Sequence, residues 1–191
     1  MRYRPEHKAE THKKIVEDAS RRIRAEGLNG AAVAAVMRDT GLTHGGFYKH
    51  FPSKDDLIAE SVREAFEDMI GRLVRVAQQS APSTAWKAIV DEYLSREHCD
   101  QPDKGCPLAA LAPELARGDQ ATKKRFGAAM MDYKARLLRF MPGRSAVHKE
   151  RAFFAIFSTM IGAIEMARII PDRDAREKIL VSARDFLLKN F

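Results

Sequence analysis

Between Thr43 and Lys54 the chain gathers hydrogen-bond donors of the kind that grip a phosphate backbone: the Thr43 hydroxyl, the His44 and His50 imidazoles, the Tyr48 phenol and the ammonium groups of Lys49 and Lys54. All can donate, and the lysines add charge. Gly45 and Gly46 stand among them. Each costs about 1 kcal/mol of helix propensity relative to alanine, and close approach of bare backbone to a groove is the return expected for that cost. A second reactive group lies in REHCDQPDKGCPL. Pro107 at a first helical position puts Cys106 at the N-cap, where the positive helix end and nearby Lys104 favour thiolate over thiol. Cys99, seven residues away, could resolve a sulfenic acid at Cys106 into a disulfide if the two Cα atoms come within about 4.4 to 6.8 Å. The competing reading is two inert core cysteines. His98, Cys99 and Cys106 are too loosely spaced to make a metal site, so no metal and no cofactor are expected.

The donors need a frame. Ala31 to Asp39 reads as a short helix with Val33, Val36 and Met37 on one buried face. Gly41 ends it in a left-handed conformation, and Leu42 can plug back between helices. Thr43 then opens and caps a second helix in which Phe47 and Phe51, four apart, face the core and leave His44, Tyr48 and Lys49 outward. Ahead lies a helix from about Lys8 to Glu26 with Ile15, Ala19 and Ile23 on one stripe. Behind, Ser53 is an N-cap with Asp56 three residues on, and Ile58, Val62, Phe66, Met69 and Leu73 continue a long helix to about Gln79. Lys54, in its first turn, can meet a phosphate together with the helix N-terminus.

The segment from about Ala9 to Val62 resembles the DNA-binding domain of the TetR family of bacterial transcriptional regulators. The likeness rests on Glu26-Gly27-Leu28, Val33 with Val36, Gly41-Leu42-Thr43, Gly45, Phe47-Tyr48-Lys49-His50-Phe51 and Pro52-Ser53-Lys54-Asp55-Asp56-Leu57. It implies a three-helix reading head over residues 1–54, a connector helix over about 53–79, and an all-helical effector-binding and dimerisation domain over 55–191. One departure is that Ala31 and Ala32 stand where Thr or Ser often starts the second helix, leaving Asn29 as its available cap. The Gly105-Cys106 pair resembles a branch of the family that includes electrophile and oxidant sensors.

Composition agrees. The 191 residues are 45% hydrophobic and 31% charged, which describes a globular chain. Residues 1–54 hold 11 Lys or Arg against 6 Asp or Glu, a balance of +5 out of the net +7. That asymmetry favours a polyanion at the N-terminal end, with Arg2 and Arg4 as a weaker contact arm. The N-terminus carries charge without the apolar run of a signal peptide, and the longest uncharged apolar stretch, Phe153 to Ile164, is 12 residues. A cytoplasmic protein without a membrane span is expected.

The remainder divides at prolines and glycines into helices over Pro82–His98, Pro107–Arg117, Asp119–Phe140, Ser145–Arg168 and Pro171–Lys189, giving an all-α chain of about nine helices. In the eighth, Phe153, Phe157, Met160 and Ile164 suit a core. Ala155, Thr159, Gly162, Ala163 and Met166 form a stripe that suits a partner helix, with Ala183, Phe186 and Leu187 of the ninth beside it. A homodimer follows, and with it a palindromic operator in double-stranded DNA. The family likeness implies an effector pocket, for which Phe66, Met69, Trp86, Ile89, Tyr93, Cys106, Leu108, Phe126, Met130, Tyr133 and Phe157 are candidates. Tyr93, Tyr133 and Trp86 join flat apolar faces to a hydrogen-bonding tip, which suits a lipophilic small molecule. The same stripes could simply pack. Nothing resembles a catalytic elbow or phosphate loop, so no enzyme is expected. The reading is a DNA-binding regulator, a repressor released by a lipophilic small molecule or by thiol modification. Its alternatives are a nonspecific nucleoid-type protein and a helical carrier.

Overall fold

The computed structural model describes residues 5–191, so the Arg2–Arg4 arm lies outside the described residues. The described residues form nine α-helices: α1 (Pro5–Glu26), α2 (Val33–Asp39), α3 (Lys54–Gln78), α4 (Ala85–Tyr93), α5 (Arg96–Asp100), α6 (Pro107–Arg117), α7 (Gln120–Leu137), α8 (Ala146–Ile169) and α9 (Arg173–Asn190). No strand occurs among the described residues. Two differences from the expected helices have local causes. The segment after Thr43 is a 3-10 turn, His44–Lys49, as expected of a short stretch with two adjacent glycines. The helix expected over Pro82–His98 is two, because the chain leaves helical geometry at Leu94 and Ser95 starts again as an N-cap, accepting from the His98 N–H at 3.2 Å.

Two hydrophobic clusters organise these elements. The smaller holds Ile15, Val16, Ala19, Val36, Met37, Phe47, Phe51 and Leu57, with Val33 and Leu42 packed against it. The larger runs from α3 through α9 and also takes in Ile23 and Ala31 from the N-terminal part. Helix α3 contributes to both, which makes it the strut between them. In α8, Phe153, Ile156, Phe157, Met160 and Ile164 fill the larger core as their spacing predicts. By length and composition alone α8 could cross a bilayer; that apolar character is accounted for by a core on one face and an open apolar strip on the other.

Long-range polar contacts fasten the N-terminal helices to the rest. Buried Arg24 donates to the Ser20 carbonyl at 3.1 Å, to the Gly105 carbonyl at 3.3 Å and to Asp68 at 3.0 Å. The Leu28 N–H donates to Glu114 at 3.0 Å. Gly27 makes this approach possible: its φ is +76°, and a Cβ there would lie 2.3 Å from Glu114 Oε1. Arg72 of α3 reaches the Lys104 carbonyl at 2.5 Å. The segment 104–114 is thereby tied to α1, to the turn after it and to α3.

Candidate nucleic-acid interface

The turn that carries the donors is built from its ends inward. Helix α2 stops in a Schellman arrangement: Leu42 N–H bonds the Met37 carbonyl at 2.7 Å and Gly41 N–H the Arg38 carbonyl at 3.0 Å, with Gly41 at φ +75°. This points Leu42 back into the smaller cluster. Phe47 and Phe51 stack at 5.5 Å between ring centroids, and both are fully buried. His12 stacks on Phe51 at 4.4 Å and bonds Glu60 at 2.7 Å, so the turn is clamped between α1 and α3. At the far end Ser53 accepts from Asp56 N–H at 3.2 Å, the N-cap that the sequence predicts, and its hydroxyl donates to the Asp56 carboxylate at 2.7 Å, a bond to the cap side chain in place of the backbone bond of a full capping box.

This frame leaves Thr43, His44, Gly45, Tyr48, Lys49 and Lys54 exposed on one short stretch, Tyr48 at 68%. Neither lysine makes an ion pair among the described residues. Tyr48 touches Phe47 edge-on at 5.2 Å, which orients the phenol without consuming its hydroxyl. Gly46 is half-buried, and a Cβ there would make ordinary contacts at 3.6 Å with Met37 and Thr43; a Cβ on Gly45 would meet nothing. Neither glycine has a positive φ. The fold therefore demands glycine at neither position.

Three local expectations are corrected. Thr43 does not cap the turn with its side chain. Asn29 does not cap the second helix: residues Leu28–Ala31 form a 3-10 turn of their own and α2 begins at Val33 with Ala32 as an uncapped N-cap. His50 is half-buried rather than presented outward. Its ring faces His12 at 6.1 Å, its Nδ1 is buried without a hydrogen-bond partner, and burial, then the positive neighbours His12, Lys8 and Lys49, push its pKa down.

Of the residues proposed for an effector pocket, Phe66, Met69, Trp86, Ile89, Tyr93, Cys106, Tyr133 and Phe157 come together in the larger core, Leu108 and Phe126 pack half-buried against it, and Met130 is half-buried outside it. Phe66 and Phe126 also line a groove of about 980 Å³ between α3 and α7. At the centre, Phe157 stands edge-on to Tyr133 at 5.3 Å and to Tyr93 at 6.0 Å. The hydroxyls of both tyrosines are buried without a hydrogen-bond partner, an arrangement that costs about 1–3 kcal/mol per group. Burial drives both phenol pKa values well up.

Cys106 adjoins this pair and departs from expectation. It is the N-cap of α6, and the Tyr93 phenol and the backbone of Ala109 and Leu108 pull its pKa down, but complete burial outweighs them and the thiol is raised above its ordinary value. Tyr93 lies near enough to influence the sulfur yet lacks the geometry of a hydrogen bond. The helix-end effect read from sequence is real and is the smaller one. Cys99 is also free and buried, but its Sγ lies 3.4 Å from Arg176 Nη2, on the side of α9.

The residue that organises this region was not visible as a site in the sequence. His98 Nε2 accepts from Cys106 N–H at 2.9 Å, which makes Nδ1 the protonated nitrogen, donating to the Tyr93 carbonyl at 2.5 Å. Both ring nitrogens are engaged, which leaves His98 no free lone pair for a metal ion. Burial lowers its pKa to about 4. The sequence offered His98 only as a rejected metal ligand; Gly105 is what lets it sit here, since a Cβ would lie 2.7 Å from Arg168 Nη2 and 3.1 Å from the His98 ring.

On α8 and α9, the expected partner face divides. Ala155, Met166 and Phe186 are exposed and Thr159, Gly162 and Ala183 half-buried, whereas Ala163 and Leu187 are buried in the chain's own core and are removed from that face. Phe154, Ile169, Val181 and Phe191 are exposed large side chains that the small-residue stripe did not include.

Comparison with known proteins places this geometry. Residues 15–61 match the family model described as bacterial regulatory proteins, tetR family. Over 109 residues the chain is 25% identical to the HTH-type transcriptional regulator LmrA of Bacillus subtilis (strain 168), a match that covers 56% of this chain and 58% of that protein. The chain thus spans little more than half the length of this curated relative. Solved structures share the whole fold: a TetR transcriptional regulator from Chloroflexus aurantiacus (TM-score 0.79, 23% identity, 96% of this chain and 95% of that one) and Escherichia coli NemR in its reduced form (TM-score 0.77, 14% identity, 94% and 96%).

Proposed function

We propose that this chain, whose residues 15–61 match the tetR family of bacterial regulatory proteins, is a dimeric DNA-binding repressor whose hold on a palindromic operator is released by a small molecule in its helical domain. The observation that carries the reading is the exposed stretch Thr43–Lys54, where Tyr48, Lys49 and Lys54 stand free on a turn fixed by Phe47 and Phe51. Thr43, His44, Tyr48, Lys49 and Lys54 contact mainly phosphates, and Gly45 and Gly46 let the backbone approach the groove. His50 acts from behind, holding the turn on α1. The reading head is residues 1–54 and the effector and dimerisation domain 55–191, with α3 as connector. The protein works in the cytoplasm and catalyses no reaction.

Dimerisation uses the open apolar strip of Ala155, Thr159, Gly162, Met166 and Phe186, widened by Ile169 and Phe191. A twofold pair spaces two heads about 34 Å apart, one turn of DNA. The effector sits at the unpaired hydroxyls of Tyr93 and Tyr133, offering apolar bulk to Phe66, Phe126 and Phe157 and polar groups to the phenols. Displacing that cluster shifts Cys106 and α6, and through Gly105, Glu114 and Lys104 it shifts α1 and α3. A coupling of about 1–3 kcal/mol weakens operator binding 5- to 150-fold. Modification of Cys106 is a second route to the same displacement, and it requires an opening of the core, since the thiol is fully buried and burial raises its pKa.

The test is selection of bound fragments from the source genome, followed by titration of the best one at fixed salt. Tyr48→Phe and Lys49→Ala are expected to weaken it several-fold with unchanged melting, and Lys49→Ala to lower the salt slope by about one. Unchanged affinity in both variants, or no preferred fragment, overturns the reading.

A further inference from the structure

A second site adjoins Cys99 and is lined by neither Tyr93 nor Tyr133. A cleft of about 840 Å³ opens between the C-terminal end of α1 and helices α5, α6, α8 and α9. Its wall carries four arginines, Arg24, Arg168, Arg173 and Arg176, against one carboxylate, Asp100. Ala109, Ala110 and Pro102 give it a short apolar floor.

The four guanidiniums are not equivalent. Arg24 is engaged through all three of its nitrogens, bonded to Ser20, Gly105 and Asp68. Arg176 pairs with Asp100 and touches the Cys99 sulfur. Arg168 is half-buried, held by the carbonyls of His98 at 2.8 Å and Cys99 at 3.1 Å, and no carboxylate lies within ion-pair distance of it among the described residues. Burial lowers its pKa, with Cys99, Tyr93, Cys106 and Glu165 acting the other way. Arg173 is exposed and makes no hydrogen bond or ion pair among the described residues. Carbonyls orient a guanidinium but bring no opposite charge, so a cleft with two arginines paired to carboxylates and two uncompensated ones attracts an anion.

We propose that this cleft binds a small organic polyanion, a molecule with at least two carboxylate or phosphate groups on a short carbon skeleton. Arg168 and Arg173 meet its charges and the alanine floor takes its carbon atoms. Since Arg24 and Ala25 at the end of α1 also line the cleft, an occupant held by Arg168 and Arg173 lies against the reading head and biases how it is held; that consequence rests on the regulator reading above, whereas binding itself does not.

Calorimetry on the full chain in a chloride buffer, with citrate and inorganic pyrophosphate as probes, decides the matter. Wild type is expected to bind at least one probe at one per chain, the preferred probe distinguishing carboxylate from phosphate chemistry. Arg173→Glu, a substitution at an exposed and unbonded position, is expected to weaken binding at least about tenfold with unchanged melting. Arg168→Met should do the same if it folds. No binding of either probe, or equal binding by Arg173→Glu, overturns the proposal. So does loss of affinity for a scrambled duplex in Arg173→Glu without loss for the probes, since the arginines would then be DNA contacts. If the probes bind and a selected operator ignores them, the site stands and its regulatory consequence falls.

Discussion

Helices α3 and α6 begin in ways that look alike in sequence and differ in three dimensions. Each has a small polar residue at the N-cap, Ser53 and Cys106, and each presents backbone amides whose partial positive charge favours an anion. At α3 the cap is closed by its own hydroxyl with Asp56, and Lys54 stays in solvent. At α6 the N-cap side chain makes no capping bond; the imidazole of His98, eight residues back in the chain, takes the Cys106 N–H instead, and the sulfur is sealed from water. A helix N-terminus therefore becomes an anion site or a neutral joint according to what covers it. The first end suits a phosphate that arrives from outside, and the second suits the transmission of a change made inside.

The buried joint should respond most to pH. His98 has a folded pKa of about 4 against an ordinary 6.5, so between these values the unfolded chain binds the extra proton. Stability from this group is fully present above 6.5 and is lost as pH falls toward 4, about 3 kcal/mol in all. The loss is expected in denaturant titrations of wild type at pH 7 and pH 4.5 and should be largely absent in His98→Gln, whose amide oxygen can still accept the Cys106 N–H. An equal slope in both proteins would show that the imidazole is not the joint.

The exposed cap should respond less and without pH dependence near neutrality. Ser53→Ala removes one capping bond and is expected to cost about 1 kcal/mol, read as a lowered melting temperature. An undiminished melting temperature would mean that the amides of α3 are served well enough by water, which would weaken the contrast between the two ends.

The reading head was legible because its signals are local. Gly41, Leu42, Phe47, Phe51 and the Ser53–Asp56 pair each act within five residues, and the structure uses them as their spacing predicts. The helical domain was legible in its helices and in the α8 core stripe, but not in the contacts that join it to the head. Arg24 with Gly105, Leu28 with Glu114 and Arg168 with His98 are 70 to 86 residues apart in sequence, a separation at which no periodicity operates. The fate of Cys106 was illegible for a related reason: the helix-end effect depends on its own neighbours, whereas the burial that overrides it comes from distant helices.

Gly45 gives the finest test of the exposed end. A glycine in helical geometry with φ below zero and open space at its Cβ position is one that alanine should improve, by about 0.4–1 kcal/mol, through a less flexible unfolded chain. Stability alone would therefore favour Gly45→Ala. If the bare backbone exists to approach a groove, the same methyl must stand between protein and DNA. The expected outcome is a variant that melts higher and binds the selected operator more weakly. A higher melting temperature with full affinity would show that the groove is approached elsewhere on the turn, moving the burden to Tyr48 and Lys49. A lower melting temperature would mean that the turn needs glycine for itself, and the argument from backbone approach would lose its footing.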